Sequence, residues 1–221
     1  LVKNYSAMVN EYDPEEKIAL VVDEWGIWTD VEPGTNPGFL YQQNTMRDAL
    51  IAASTLNIFN NHSNRVRMAN LAQAINVLQA LILTDKEKML LTPTYHIFKM
   101  YKVHQEANLL ESSVSVNDYQ YGNESIPGAN VSASKDENGK IHVSVVNLNP
   151  KKAVPANVIL NGYNAKQIKG EILTSASYTD YNSFDKPDKI AMKEYKDFKK
   201  ESNGNISMKL PPLSIVTLEI Q

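Results

Sequence analysis

Five consecutive apolar residues, Ile18 to Val22, run directly into the acid pair Asp23 and Glu24, with Trp25 and Trp28 just beyond. A continuous apolar run of this length reads as a strand covered on both faces, the usual condition of a parallel sheet. The polar residues gather at its carboxyl end. In a parallel α/β barrel the carboxyl ends of the strands carry the chemistry, which makes an acid there a catalytic candidate. The same pair also suits a solvated turn or a helix cap.

The neighbouring segments extend the pattern. Tyr5, Met8 and Val9 recur at helical spacing, and Asp13-Pro14 stops that helix, because the residue before proline avoids the helical region. After the Ile18 strand, Pro33, Gly34, Pro37 and Gly38 mark a loop of the kind that lies over a site. Met46, Leu50, Ala53 and Leu56 then repeat on one helical face, with Asn60 and Asn61 at its end. Arg65 to Asn70 is a second strand, running into Leu71-Ala72-Gln73. Thr92 as cap and Pro93 at the first position open a further helix, whose stripe is Ile97, Met100, Tyr101 and His104. Strands alternating with helices imply parallel βα units. Two strands supply only a quarter of an eight-stranded barrel.

Near Asn108 the texture changes. Period-two alternation takes over at Val114 and Val116, at Ile141, Val143 and Val145, and at Ile206, Met208 and Leu210. Glu137-Asn138-Gly139 sits between two such runs as a hairpin turn, and Leu213 to Ile220 closes the chain. The expected fold is therefore α/β plus all-β: the last strands and helices of an incomplete (β/α)8 barrel in residues 1–108, then a β-sandwich in residues 109–221, with the boundary at 106–110. The charged stretch Asp185 to Lys200 reads as a solvated loop over the sandwich.

Composition removes several classes of function. Among 221 residues, 22 Lys and Arg against 25 Asp and Glu give a formal charge of -3, so no basic field draws a phosphate backbone and nucleic acid is not an expected partner. The absence of cysteine excludes disulfides and thiolate chemistry. No apolar run reaches the roughly 18 residues needed to span a bilayer. His62, His96, His104 and His142 form no metal-like grouping with carboxylates, and no glycine-rich phosphate cradle stands out. Neither a metal nor a cofactor is expected. The chain begins Leu1-Val2-Lys3, with no initiator Met or signal segment, and reads as a cut; the compartment stays undetermined.

The run VVDEWGIW, then GFLYQQNTMRDALIAA, NHSNRVRMANLAQAINVLQALILTD and TPTYHIFKMYKVHQ, and finally YNSFDKPDK and LPPLSIVTLEI, resembles the carboxyl-terminal part of a glycoside hydrolase family 51 α-L-arabinofuranosidase. The segments arrive in that family's order and cover nearly the whole chain. The resemblance implies a (β/α)8 barrel followed by a β-sandwich, of which this chain holds the last two barrel strands and the sandwich. It also implies a retaining, exo-acting enzyme that releases terminal arabinofuranose from arabinan or arabinoxylan.

By that resemblance Glu24 is the nucleophile, the Glu of the family's Asp-Glu-Trp motif. Gln73, in the Ala-Gln pair after the eighth barrel strand, hydrogen-bonds the sugar, a task suited to an amide with donors and an acceptor. Trp28 offers a flat apolar wall to the sugar, whereas Trp25 packs in the barrel. Asp23 is support. Many family members carry Asn where this chain has Gly26. A retaining glycosidase needs a second carboxyl as acid/base, and the family's lies after the fourth barrel strand, upstream of Leu1. Gly122-Asn123-Glu124 matches that motif over three residues only and follows the nucleophile in order, so it reads as a loop.

The expected partners are arabinofuranosyl oligosaccharides or polysaccharides and the missing amino-terminal part of the same protein. An apolar edge left by the cut would be covered by association with another chain, a companion fragment or local rearrangement. Two other readings stand beside this one. The sandwich could be a non-catalytic module for packing or carbohydrate binding, with Tyr119, Tyr121, Tyr178 and Tyr181 as a platform, or the parent could be a glycosidase of another specificity on a related barrel.

Overall fold

The computed structural model describes all 221 residues. Helix α1 (Val2–Asn10) leads to strand β1 (Leu20–Val22), helix α2 (Met46–Asn60) and strand β2 (Val66–Ala69). A hairpin of β3 (Ile82–Asp85) and β4 (Lys88–Leu91) then precedes helix α3 (Pro93–Tyr101). β1 and β2 pair in parallel, with Leu20 opposite Val66, Val21 opposite Met68 and Val22 opposite Ala69.

A buried guanidinium fixes the amino ends of that pair. Arg65 has no exposed surface, and its Nη1 donates to Asp13 Oδ2 at 2.6 Å and to the Ile18 carbonyl at 2.7 Å. Its Nη2 donates to the Asp13 carbonyl at 2.9 Å and to Asn10 Oδ1. The Ile18 N–H also donates to Asp13 Oδ2 at 2.7 Å. That N–H first, and the guanidinium second, hold the Asp13 carboxyl below its usual range.

The apolar run is not covered on both faces as expected. Leu20 and Val22 pack against the helical core. Val21 and its partner Met68 remain 52% and 54% exposed, because no element of the chain lies against that face.

Helix α2 starts where four backbone N–H groups need acceptors. Asp48 accepts from the Thr45 N–H at 2.8 Å, and the Met46 and Arg47 N–H groups donate to the carbonyls of Asp180 and Tyr178 at 2.8 and 2.9 Å. A loop from the carboxyl-terminal half thus caps a helix of the amino-terminal half. At α3 the Tyr95 N–H donates to the Thr92 hydroxyl and Pro93 occupies the first turn, as the sequence predicts.

The remainder is antiparallel. β5 (Asn108–Leu110), β6 (Asp118–Tyr121), β7 (Glu124–Pro127), β8 (Ala129–Lys135), β9 (Ile141–Asn147) and β10 (Val154–Val158) come first. β11 (Ile168–Thr174), β12 (Lys193–Glu194), β13 (Phe198–Lys200), β14 (Ile206–Leu210) and β15 (Ser214–Ile220) follow. A six-stranded sheet, β12-β11-β15-β9-β8-β5, packs on a three-stranded one, β10-β14-β13, and β6-β7 stands apart as a hairpin. Ile141, Val143, Val145, Val216 and Leu218 meet Ile206, Met208 and Leu210 between the sheets. Beside β10 an apolar cleft of about 800 Å³ remains between them.

The six-stranded sheet is covered on its other face too. Val146, Leu173 and Ile215 join Met46, Ala49, Leu50, Ala53, Ile97 and Met100 in one apolar cluster. The layers are therefore helices, six strands and three strands, which explains why every residue of β9 is buried rather than alternate ones. No helix is long and apolar enough to cross a membrane.

Two further expectations need correction, and one element has no signal in the sequence. Asp185 to Lys200 is not simply a solvated loop: it carries β12, β13 and two fully packed side chains, Ile190 and Tyr195, among its exposed lysines and acids. Val114 and Val116 lie in no strand. The β3-β4 hairpin went unread because its turn lacks Gly and Asn; Lys86 takes the left-handed conformation there instead, at φ 55°.

A polar seam joins the helices to the sheet. His104 has Nδ1 2.7 Å from the Ser134 hydroxyl and Nε2 2.7 Å from that of Ser144, while Ser132 donates to Asn57 Oδ1 at 2.7 Å. Burial first, and then His142, push His104 down to about 4. The imidazole is neutral in the folded chain, whereas the unfolded chain takes up a proton near the ordinary value of 6.5. Its contribution to stability is complete above that value, is lost as pH falls toward 4, and is constant below. Between pH 7.5 and 5 this costs about 1 to 2 kcal/mol. Urea unfolding at the two pH values should show that the His104→Gln variant loses less stability than the unmodified chain; an equal loss would contradict this.

Candidate active site

Both parallel strands deliver polar residues at their carboxyl ends. Glu24 lies two residues beyond Val22, and Gln73 lies four beyond Ala69, the partner of Val22. The Asn70 N–H still donates to the Val22 carbonyl at 2.8 Å, so the two chain segments leave the sheet side by side. Asp23, Glu24 and Gln73 are all exposed. Neither acid takes part in the salt bridges of the chain. The Ala72–Gln73 peptide bond is cis.

Trp25 sets the bend at which Glu24 sits. Its indole meets Phe59 of α2 edge-on, with ring centroids 5.5 Å apart, and stacks on Phe98 of α3 at 6.1 Å. With Trp25 held among the helices, the chain turns at Gly26, at φ 118°, a conformation that favours glycine. A Cβ at this position would also lie 2.9 Å from Gln79 Cγ. Either an Asn or any other side chain at position 26 would therefore require Gln79 to move.

Two amides then fasten the segment beyond. Gln42 Nε2 donates to the Ile27 carbonyl at 2.8 Å, and Gln79 Nε2 donates to the same oxygen. The Thr29 N–H donates to Gln42 Oε1 at 2.9 Å. Gln42 and Gln79 are buried, whereas Trp28, lying between the fastened residues, is 65% exposed. The sequence reading missed both glutamines. Nothing in their spacing marks them, since the carbonyl they share reaches them only through the tertiary fold.

Glu124 opens β7 opposite Tyr121 in the detached hairpin and is exposed. Tyr119 and Tyr121 belong to that hairpin, whereas Tyr178 lies in the loop that caps α2 and Tyr181 directly follows it. No three His, Asp or Glu side chains are arranged to hold a metal ion.

Residues 23–214 match the family model described as the α-L-arabinofuranosidase C-terminal domain. The chain belongs to that family. An intracellular exo-α-L-arabinofuranosidase of Bacteroides ovatus is 45% identical over 226 residues, an alignment covering 100% of this chain and 43% of that protein. The crystal structure of a GH51 arabinofuranosidase from Xanthomonas axonopodis pv. citri superposes with a TM-score of 0.97 at 42% identity, over 100% of this chain and 44% of that one. An α-L-arabinofuranosidase from Thermotoga maritima, solved as an arabinose complex, shares the fold at TM-score 0.78 and 21% identity, over 95% of this chain and 44% of its own. The chain thus spans less than half the length of these relatives.

The two tryptophans of the motif differ in what they do for the fold. Trp25→Ala should cost about 3 kcal/mol in urea unfolding, because it opens a hole against Phe59 and Phe98. Trp28→Ala should cost less than about 0.5 kcal/mol, as an exposed side chain. Equal costs would contradict the assignment of Trp25 to the core and of Trp28 to the surface.

Proposed function

We propose that this chain is the carboxyl-terminal portion of a retaining, exo-acting α-L-arabinofuranosidase, with Glu24 as its nucleophile. Residues 1–108 would complete a (β/α)8 barrel begun upstream, and residues 109–221 would form its sandwich domain. The observation that carries this reading is an exposed, unpaired Glu24 at the carboxyl end of one parallel strand, beside a second strand leading to Gln73, in a chain of this family.

In the first step the Glu24 carboxylate attacks the anomeric carbon. The glycosidic C–O bond breaks as an acid gives its proton to the departing oxygen, leaving an arabinofuranosyl ester on Glu24. In the second, the same acid, now a base, takes a proton from water. The water oxygen bonds to the anomeric carbon, and arabinose and free Glu24 result. The two carboxyl groups must stand about 5 to 5.5 Å apart. The second is assigned to the upstream part of the protein, as are the elements that cover Val21 and Met68. Gln73 is assigned to the sugar hydroxyls and Trp28 to the apolar face of the sugar.

In the full-length protein Glu24→Gln should lower kcat on an aryl α-L-arabinofuranoside by at least about a thousandfold, with the unfolding midpoint little changed. The 221-residue chain alone should show no turnover. A Glu24→Gln enzyme that retains a tenth of its activity, or turnover by the isolated chain, would overturn the reading.

A further inference from the structure

Glu24 and Trp28 stand on the two sides of one glycine, and each side is held separately. Before Gly26, the Val22 carbonyl accepts from the Asn70 N–H at 2.8 Å, and the Trp25 indole packs against Phe59 and Phe98. After it, Gln42 bonds both neighbours of Trp28: Nε2 donates to the Ile27 carbonyl at 2.8 Å, and Oε1 accepts from the Thr29 N–H at 2.9 Å. Gly26 joins the two sides at φ 118°. Glycine resists backbone rotation less than any other residue, so this hinge does not set its own angle.

Gln79 is the side chain that spans the hinge. Its Cγ lies over Gly26, 2.9 Å from where a Cβ would stand, and its Nε2 donates to the Ile27 carbonyl. That carbonyl already accepts from Gln42, and one donor satisfies a buried carbonyl. What the second bond adds is placement. The same Gln79 amide lies 3.4 Å from Asp48 Oδ1, and both residues are buried. Asp48 belongs to α2, the helix whose Phe59 meets the Trp25 ring. One helix therefore holds Trp25 directly and Ile27 through Gln79.

We propose that Gln79 is a positioning residue, which sets Trp28 relative to Glu24 by locking the Gly26 hinge against α2. The inference rests on the reading of Glu24 as nucleophile and of Trp28 as the wall for the sugar. A carboxylate attacking an anomeric carbon loses rate steeply when the sugar is seated off its line, so the wall must stand in register with the nucleophile. Gln79 acts on both through the backbone of residues 26 and 27.

The test is a double-substitution cycle in the full-length protein on an aryl α-L-arabinofuranoside. Gln79→Met keeps the length of the side chain and removes the donor. It should lower kcat/KM about tenfold under conditions where urea unfolding shows the variant still folded. Trp28→Ala should lower it by at least as much. Added to Trp28→Ala, Gln79→Met should cost less than about twofold more, because the wall it places is gone. Gly26→Ala, whose Cβ displaces Gln79 from the hinge, should show the same dependence on Trp28 and replaces the methionine variant if that one does not fold. An unchanged kcat/KM in folded Gln79→Met would overturn the proposal. So would losses that multiply in the double variant, the outcome for a residue that merely supports the fold. Undiminished activity in Trp28→Ala alone would instead defeat the assignment of Trp28 to the sugar, and Glu24→Gln, assayed in parallel, tests the nucleophile by itself.

Discussion

The fully buried Arg65 guanidinium is the constraint that brings together the two parallel strands on which the candidate site stands. It grips the Asp13 carboxylate and the carbonyls of Asp13 and Ile18 at the amino ends of β1 and β2. The register slips by one residue between Leu20 and Val21, so Arg65 sets where the two strands begin, and the pairs Val21–Met68 and Val22–Ala69 set the register beyond the irregularity. Glu24 and Gln73 follow neighbouring strands whose carboxyl ends are joined by the bond from the Asn70 N–H to the Val22 carbonyl. Removing either partner of this ion pair between Arg65 and Asp13 would leave an uncompensated charge in the interior.

The sandwich is a structural partner of the site rather than an appendage. Its loop at Tyr178 to Asp180 supplies the acceptors for the first turn of α2. Asp48 in that turn in turn faces Gln79, whose amide lies 3.4 Å from the Asp48 carboxylate and also holds the Ile27 carbonyl. Phe184 packs with Tyr41 against Ala80, Leu83 and Leu90. Burial, followed by the charges of Glu32 and Tyr181, raises the Tyr41 hydroxyl above its ordinary value. A change in the sandwich loop would thus reach the Gly26–Thr29 segment through one helix turn and one glutamine.

Local chemistry made much of this legible in the sequence. Thr92-Pro93 and the stripe through Ile97 and Met100 mark α3, Glu137-Asn138-Gly139 marks the β8-β9 turn, and the apolar run into Asp23-Glu24 marks β1 with its polar end. Each signal depends on neighbours a few residues apart. What stayed hidden depends on distant ones. β12 and β13 exist because Tyr195 and Phe198 find the sheet core, which outweighs the charged composition around them. The bracing by Gln42 and Gln79 needs a carbonyl more than ten residues away. The complete burial of β9 follows from helices on one side and a second sheet on the other, which no alternation in its own seven residues could announce.

The most direct measurement is to trap the sugar on the protein. A fluorinated arabinofuranoside with a good leaving group, added to the full-length protein, should slow release enough for the ester to accumulate. Digestion and mass spectrometry should then find one fluoroarabinofuranosyl adduct on the peptide that contains Asp23-Glu24-Trp25, located on Glu24. An adduct on another carboxylate, with Glu24 unlabelled, would contradict the account.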